Sequence, residues 1–146
     1  MKQKDYSRRP VVDKLGLKPG AGVAVAAYGS SHEAALVADV VRAIGRPLLD
    51  DGESADVVLL AVADGDGVAD ILRAWRPRIQ PSGVLWVMTP KRGRPGYIPQ
   101  NQLITAGANA ALVDNKICAI SDTTSAMRFV IRLRDRPAVA GAPSSA

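Results

Sequence analysis

Residues 56–63 read Asp-Val-Val-Leu-Leu-Ala-Val-Ala and form the strongest predicted strand of the chain. The run is apolar without alternation, which is typical of a strand buried on both faces of a parallel sheet. Asp64-Gly65-Asp66-Gly67 interrupts it, and the apolar spacing over residues 68–75 then predicts a helix. A buried strand followed by an amphipathic helix is the repeating unit of α/β folds.

The segment before this unit has the same organisation. Val23 to Tyr28 is a short apolar run that predicts a first buried strand. Ser30 and Glu33 have the spacing of a capping box, so we expect a helix from about residue 31 to residue 44. Gly45 then occupies the position of a left-handed helix C-cap.

The remaining segments complete a mostly parallel sheet. The sequence predicts a short strand over 47–50, a strand over 84–88, a weak helix over 101–111, and two strands over 112–120 and 126–133. Since few residues separate the last two strands, they should form an antiparallel hairpin. We therefore predict an α/β, Rossmann-like fold: a mostly parallel sheet with helices on both faces and a C-terminal antiparallel hairpin, in which 23–28, 56–63 and 84–88 are adjacent parallel strands.

Composition gives the domain organisation and the compartment. We expect a flexible basic lead-in over residues 1–12, a single Rossmann-like domain over 13–136, and a disordered tail over 137–146. The chain is 47% hydrophobic but 4% aromatic, which indicates an aliphatic core. One cysteine, no apolar run of membrane-spanning length and no signal-peptide pattern predict a cytoplasmic protein without a membrane partner or a metal centre.

Four stretches carry a resemblance to a known family. They are Leu15 to Gly20, Ser82 to Val87, Leu112 to Ile120 and Ser125 to Arg132. Over about residues 12–136 the chain resembles a family of short bacterial proteins that is catalogued only as a domain of unknown function. This resemblance implies a fold but no activity.

The predicted layout also resembles a shortened class I methyltransferase. In those enzymes a glycine-rich turn after the first strand holds S-adenosylmethionine, and an antiparallel hairpin closes the sheet. The corresponding turn here has one glycine, Gly29, preceded by Tyr28, whose side chain would crowd a close backbone approach. Asp50 lies 21 positions beyond Gly29, near the spacing at which an acidic side chain meets a ribose in dinucleotide folds. The resemblance thus implies S-adenosylmethionine as a cofactor, while the missing glycines count against it.

Two loops at the predicted carboxyl ends of strands are candidate ligand sites. Gly29-Ser30-Ser31 precedes a helix, where free N–H groups favour an anion, although a plain N-cap uses the same residues. Asp64 and Asp66 follow the second parallel strand, where open α/β sheets bind ligands. The alternative for this acidic loop, which we favour, is a turn followed by a helix N-cap at Asp66. A bound small molecule should contact the loop from Tyr28 to Ser31 and the loop from Asp64 to Gly67, because both follow parallel strands at their carboxyl ends.

Two single residues suit structural roles better than chemical ones. His32 is the only histidine, and we expect it to be solvated in the first turn of the helix rather than to shuttle protons. Cys118 lies in a predicted strand and is expected to be an inert buried thiol.

A basic loop, Lys91-Arg92-Gly93-Arg94-Pro95, follows the third strand. Arg92 to Pro95 match the core of the AT-hook, which lies extended in the narrow minor groove of A·T-rich DNA. A loop of this charge is also compatible with a fold that makes no DNA contact. The last strand places Phe129, Ile131 and Leu133 on one side and an arginine row on the other, which protects a sheet edge or adds to a basic surface.

Two hypotheses about function follow. The first is a non-catalytic domain with a degenerate methyltransferase-like fold that binds a small anionic ligand or a protein partner. The alternative is a DNA-associated protein that uses the loop at Lys91 to Pro95. An active methyltransferase ranks third because neither the glycine turn nor a catalytic motif is complete.

Overall fold

The computed structural model describes residues 10–50 and 52–136. The predicted tail over 137–146 and residues 1–9 of the lead-in lie outside this part. The chain forms, in order, α1 (Val11–Lys14), β1 (Val23–Tyr28), α2 (Ala34–Ile44), β2 (Ala55–Val62), α3 (Val68–Trp75), β3 (Ile79–Pro90), α4 (Gln100–Asn109), β4 (Leu112–Ala119) and β5 (Thr124–Ile131), with 3-10 turns at Arg76–Arg78 and Leu133–Asp135.

The five strands form one sheet in the order β1-β2-β3-β5-β4. Strands β1, β2 and β3 are parallel neighbours, and β4 and β5 form an antiparallel hairpin that joins the sheet through β5. Helices cover both faces: α3 and α4 share one apolar cluster with the sheet, and α1 and α2 border the other. The predicted Rossmann-like α/β architecture is therefore confirmed.

The burial of β2 and a glycine in β3 account for the bounds of these two strands. Seven of the eight residues of β2 are buried, as its unbroken apolar run predicts. Strand β3 begins at Ile79, five residues before the predicted start. Gly83 permits this extension, because a Cβ there would lie 2.7 Å from the carbonyl oxygen of Asp56 on β2. Pro81 is tolerated in the same stretch, where the β2–β3 register is irregular.

The N-terminal helix is attached to the middle strand of the sheet. Trp86 is fully buried on β3, and its indole Nε1 donates a hydrogen bond to the carbonyl oxygen of Leu15 at 3.2 Å. Helix α1 begins at Val11, two residues before the predicted domain start. Val11 and Val12 pack against the cluster that contains Trp86, so this part of the lead-in belongs to the folded domain.

Helix α2 begins later than predicted. It starts at Ala34, with Glu33 at the N-cap in an extended conformation, and within the described part of the chain no side chain caps it. The capping box between Ser30 and Glu33 therefore does not form. The predicted strand over 47–50 is also absent from the described residues, although the backbone N–H of Leu49 donates to Val23 at 2.8 Å.

Strand β5 corrects the prediction for the last strand. Phe129 and Ile131 are buried as expected, but the strand ends at Ile131 and Leu133 is 77% exposed. Because β5 lies between β3 and β4, its one arginine, Arg128, does not lie at a sheet edge, and Arg132 and Arg134 follow the end of the strand. Arg128 instead lies 5.7 Å from the ring centre of Trp86 and donates to Asn115 on β4 at 2.8 Å. Cys118, predicted to be buried, is half-buried on β4.

We expect Gly107→Ala to destabilise the fold, although alanine ordinarily stabilises a helix interior by about 1 kcal/mol over glycine. A Cβ at Gly107 in α4 would overlap the ring of Phe129, which is fully buried and cannot move aside. The expected net loss in free energy of unfolding is about 1–3 kcal/mol, measured by urea titration.

The exposed neighbour Thr105 on the same helix provides the control, since Thr105→Ala should be neutral or slightly stabilising. Adding Phe129→Leu to the Gly107→Ala chain should recover part of the loss relative to additivity. A Gly107→Ala protein as stable as the wild type would show that the contact between α4 and β5 is not tight.

Candidate functional site

Three loops meet at the carboxyl ends of the parallel strands, and Ala63 is where they join. The backbone N–H of Ala63 donates to the carbonyl oxygen of Tyr28 at 3.0 Å, which ties the end of β2 to the end of β1. The next residue, Asp64, donates from its N–H to the carbonyl oxygen of Gly96 at 2.9 Å, which ties in the loop after β3. This edge of the sheet is where open α/β folds bind ligands.

Gly29 is required by this junction. Its φ is +70°, and a Cβ built on it would lie 3.1 Å from the carbonyl oxygen of Ala63. The space that a glycine leaves open at this turn is therefore filled by the protein's own backbone. The side chain of Tyr28 lies on the α3 face of the sheet, where its hydroxyl accepts a 2.7 Å hydrogen bond from Trp75 Nε1.

Ser30 and Ser31 line a cleft of about 260 Å³ on the α2 face of this edge. Its other walls come from the start of α2, from the end of β3, from the basic loop and from the turn between β4 and β5. The polar groups are contributed by His32, Glu33, Thr89, Arg94, Ser121, Thr123 and Thr124. Met88, Leu36 and Ile120 contribute the principal apolar surface.

His32 fixes the extended segment that precedes α2. Its Nε2 lies 3.0 Å from the carbonyl oxygen of Ala26 on β1 and 3.1 Å from that of Leu59 on β2. Since both partners are acceptors, the hydrogen-bond network assigns a proton to Nε2. His32 is thus anchored on the sheet, and the prediction of a solvated residue in the first helical turn is wrong. A histidine whose acceptor lies 27 residues away gives no local signal.

The turn between β4 and β5 supplies a group of hydroxyls that the sequence did not indicate. Ser121 Oγ lies 3.2 Å from Thr123 Oγ1 and accepts a hydrogen bond from the backbone N–H of Thr123. The carbonyl oxygen of Thr123 accepts from the N–H of Lys91 at 2.9 Å. The hairpin turn and the basic loop therefore form one wall of the cleft.

The acidic loop does not contribute to this cleft. Asp64 and Asp66 are both exposed, and neither lines the cleft beside Ser30. The predicted N-cap at Asp66 is wrong, because Gly67 occupies that position with φ +79°. Within residues 10–50 and 52–136, no group of three acidic, histidine or cysteine side chains is placed to hold a metal ion.

Asp50 lies near the amino ends of the parallel strands, whereas Gly29 lies at their carboxyl ends. The neighbouring N–H of Leu49 donates to Val23, the first residue of β1, whereas Gly29 follows the last residue of that strand. A six-residue strand spans roughly 20 Å, so Asp50 and Gly29 cannot contact one ribose. The separation of 21 residues in the sequence therefore does not bring Asp50 close to Gly29 in the structure.

The basic loop is folded into two consecutive turns. The N–H of Arg94 donates to Lys91 at 3.1 Å, and the N–H of Tyr97 donates to Arg94 at 3.1 Å. Gly93 and Gly96 have φ values of +88° and +87°, which the third position of a type II turn requires. The loop therefore differs from the extended segment that an AT-hook presents to DNA.

The two arginines of this loop face different surroundings. The guanidinium of Arg92 lies 5.8 Å from the ring centre of Tyr97. Arg94 lines the cleft, and in the described part of the chain its side chain has no ion pair or hydrogen bond. Arg94 therefore places an uncommitted positive charge beside the hydroxyls of Ser30, Ser31 and Thr123.

Comparison with solved structures supports the methyltransferase-like fold. The mitomycin 7-O-methyltransferase MmcR matches with a TM-score of 0.61 and 15% identity over 89% of this chain and 55% of that one. A SAM-dependent methyltransferase from Aquifex aeolicus matches with a TM-score of 0.56 and 12% identity, over 84% and 88% of the two chains. At these identities the likeness concerns the fold alone.

The residues predicted to hold S-adenosylmethionine do not assemble a site for it. Ala63 occupies the space beside Gly29, and the side chain of Tyr28 lies on the α3 face of the sheet. Asp50 lies near the amino ends of the strands, away from Gly29. Helix α2 begins five residues after Gly29, so its N-terminus does not follow the turn directly. The fold is shared with the methyltransferases, but the elements of this turn do not fit their cofactor.

Sequence comparison gives the relatives of this chain and its family. The chain is 39% identical over 79 residues to "Uncharacterized protein Rv2239c" of Mycobacterium tuberculosis and to "Uncharacterized protein Mb2263c" of Mycobacterium bovis. Each alignment covers 52% of this chain and 50% of the relative, so the chain spans about half the length of the curated relatives it matches. Among the described residues, no helix is long and apolar enough to cross a membrane. A family model matches residues 12–133, and the chain belongs to that family, described as "Protein of unknown function (DUF3052)".

Proposed function

We propose that this protein is a non-catalytic binding domain that holds a small anionic molecule in the cleft at the carboxyl ends of β1, β2 and β3. The observation that carries the proposal is the position of Arg94. Its guanidinium is the positive charge of a cleft whose other polar walls are mostly hydroxyls. A guanidinium flanked by hydroxyl donors is suited to a carboxylate or a phosphate.

The size of the cleft limits the ligand. Its volume of about 260 Å³ lies just below the usual range for small-molecule pockets, which begins at about 300 Å³. The cleft is therefore suited to a compact acid or to the charged end of a longer molecule. Glu33, at the start of α2, disfavours an anion close to its carboxylate, so the charged group of the ligand belongs beside Arg94.

The cleft is preorganised by backbone contacts. Asp64 to Gly96 and Lys91 to Thr123 are hydrogen bonds at 2.9 Å that hold the basic loop on both sides. A site whose walls are already fixed loses little conformational entropy when a ligand binds. This rigidity supports binding by the folded domain without a large rearrangement.

His32 fixes one wall of the cleft. It is the one histidine of the chain, it lines the cleft, and its Nε2 donates to two strand carbonyls. The ring thereby holds the segment from Ser30 to Glu33 in place, and we assign it that positioning role.

We expect adenosine 5′-monophosphate, used as a phosphate-bearing probe, to raise the melting temperature while the neutral adenosine does not. S-adenosylmethionine and S-adenosylhomocysteine should have no greater effect than adenosine, because the turn at Gly29 is closed. A ligand that binds only the native state stabilises it by RT ln(1 + [L]/Kd), so the melting temperature rises with ligand concentration, and a thermal-shift titration measures this rise.

Arg94→Gln should weaken the binding of adenosine 5′-monophosphate about tenfold, since a charge-assisted hydrogen bond contributes about 1.5–3 kcal/mol when well formed. The matched control is Arg92→Gln, the same change two residues away on a side chain outside the cleft, which should leave binding unchanged. Equal shifts with adenosine and its monophosphate, or equal losses in the two variants, would contradict the proposed site.

The turn geometry of the basic loop predicts weak DNA binding without base preference. Anisotropy titrations with A·T-rich and G·C-rich duplexes should give equal affinities that fall as salt rises from about 50 to 200 mM. Changing Arg92 and Arg94 together to Ala should reduce binding no more than the loss of charge explains. Tight, A·T-selective binding at physiological salt that this double variant abolishes would overturn the proposal in favour of DNA association.

A further inference from the structure

One face of the hairpin formed by β4 and β5 carries a row of valines that extends onto β3. Val84 on β3 lies opposite Val130 on β5, and Val130 lies opposite Val113 on β4. Directly opposite residues of antiparallel strands project from the same face of a sheet. Val84 packs against the cluster that contains Trp86, so the row lies on the face that α1 and α2 border.

The valine row is only partly covered. All three valines are half-buried, and among the described residues neither Val113 nor Val130 belongs to, or packs against, either apolar cluster. The segment after α1 covers the next row on this face instead, where Leu15 accepts the hydrogen bond of the fully buried Trp86. The valines therefore form an apolar strip that the described helices leave partly open.

Two cations lie beside the valines. The next row on this face consists of Trp86, Arg128 and Lys116, which are paired in the same way across β3, β5 and β4. Arg128 is half-buried, with its guanidinium 5.7 Å from the ring centre of Trp86, and Lys116 is exposed. Like charges that lie directly opposite each other destabilise a sheet, so this pairing is unfavourable for the fold alone.

An extra residue in β4 produces the pairing of the two cations. Asp114 lies opposite Phe129 and Lys116 lies opposite Arg128, so Asn115 between them has no counterpart on β5. In an unbroken register Asn115 would lie opposite Arg128, and Lys116 would project from the other face. A bulge that turns a side chain into an unfavourable pairing is expected at a functional surface rather than at a purely structural one.

No carboxylate of the described residues forms an ion pair with these two cations. The ion pairs within residues 10–50 and 52–136 are Arg42–Asp39, Arg73–Asp70 and Arg134–Asp135. Asp114, two positions before Lys116, lies opposite Phe129, which belongs to the cluster on the other face of the sheet. The anion that balances Lys116 and Arg128 therefore has to come from outside this face.

The valine row and the two cations are together termed the hairpin face, which consists of Val84, Val113, Val130, Lys116 and Arg128. We propose that the hairpin face binds an acidic segment of another protein that presents aliphatic and carboxylate side chains together. The aliphatic side chains pack on the valine row, and the carboxylates pair with the two cations. Trp86 and Asn115 already hold the guanidinium of Arg128 in place, so it loses little conformational entropy when a carboxylate binds.

The composition of the hairpin face favours a protein segment over a nucleic acid. Proteins that bind single strands stack the bases on accessible aromatic side chains, and Trp86, the aromatic residue of the cation row, is fully buried. A phosphate backbone would pair with the cations but would bury none of the valines. Aliphatic side chains bury them, and the adjacent carboxylates supply the anions.

The parts of this chain outside the described residues do not have the matching charge. Residues 137–146 contain no acidic side chain, and residues 1–9 contain one, Asp5, against four basic side chains. An intramolecular occupant from either end would leave Lys116 and Arg128 without sufficient compensation. The occupant is therefore assigned to a different protein.

Fluorescence anisotropy with labelled peptides tests the chemistry of the occupant. A peptide of about eight residues that alternates glutamate and valine should bind at least about tenfold more tightly than one that alternates glutamate and serine, because only the first buries the valine row. A peptide that alternates lysine and valine should not bind, since its charge is repelled. The affinity for the glutamate–valine peptide should fall as salt is added.

Lys116→Gln should weaken binding of the glutamate–valine peptide about fivefold, and it should not lower the melting temperature, because it also removes the repulsion from Arg128. The matched control is Lys18→Gln, the same change at an exposed lysine before β1, which should leave binding unchanged. Val113→Thr should reduce the preference for valine over serine in the peptide. Arg94→Gln should not affect the peptide, since Arg94 lines the separate cleft.

Four outcomes would overturn the proposal. The first is no preference of the wild-type protein for the glutamate–valine peptide over the glutamate–serine peptide, and the second is an equal effect of Lys116→Gln and Lys18→Gln. A single-stranded oligonucleotide that binds more tightly than the glutamate–valine peptide, and that Lys116→Gln releases, would assign the hairpin face to nucleic acid. A wild-type protein that sediments as a dimer and becomes monomeric in Lys116→Gln would assign it to a second copy of this chain.

Discussion

The backbone junction at Ala63 is the constraint on which the candidate site depends. The backbone N–H of Ala63 donates to Tyr28 at the end of β1, and its carbonyl oxygen lies against the turn at Gly29. The loop after β3 approaches Ala63 so closely at Gly96 that a Cβ added there would lie 2.8 Å from the Ala63 side chain. Three loops that would be independent in sequence are thereby fixed to one another. The glycines at this edge serve the contact between loops, and this is why a methyltransferase-like sheet can exist here without the cofactor turn that usually accompanies it.

The strands and the hairpin were predictable because their signal is local. Uninterrupted apolar runs identify β1, β2 and β3, and the short connection between β4 and β5 leaves them few alternatives to antiparallel pairing. The insertion of β5 between β3 and β4 was not predicted as such, since it depends on which strand of the hairpin meets the sheet. The prediction for Leu133 was wrong because the alternating pattern was extended beyond Ile131, where β5 ends.

The site was less predictable because its residues meet through contacts that are distant in sequence. Ser30 and Glu33 have the spacing of a capping box, yet His32 finds acceptors on two strands and holds that segment extended. Asp50 has the separation expected of a ribose contact, yet its neighbour Leu49 is bound to the first residue of β1. Arg94 was identified for its charge, but its place beside the hairpin turn follows from Lys91 and Thr123, which no local pattern connects.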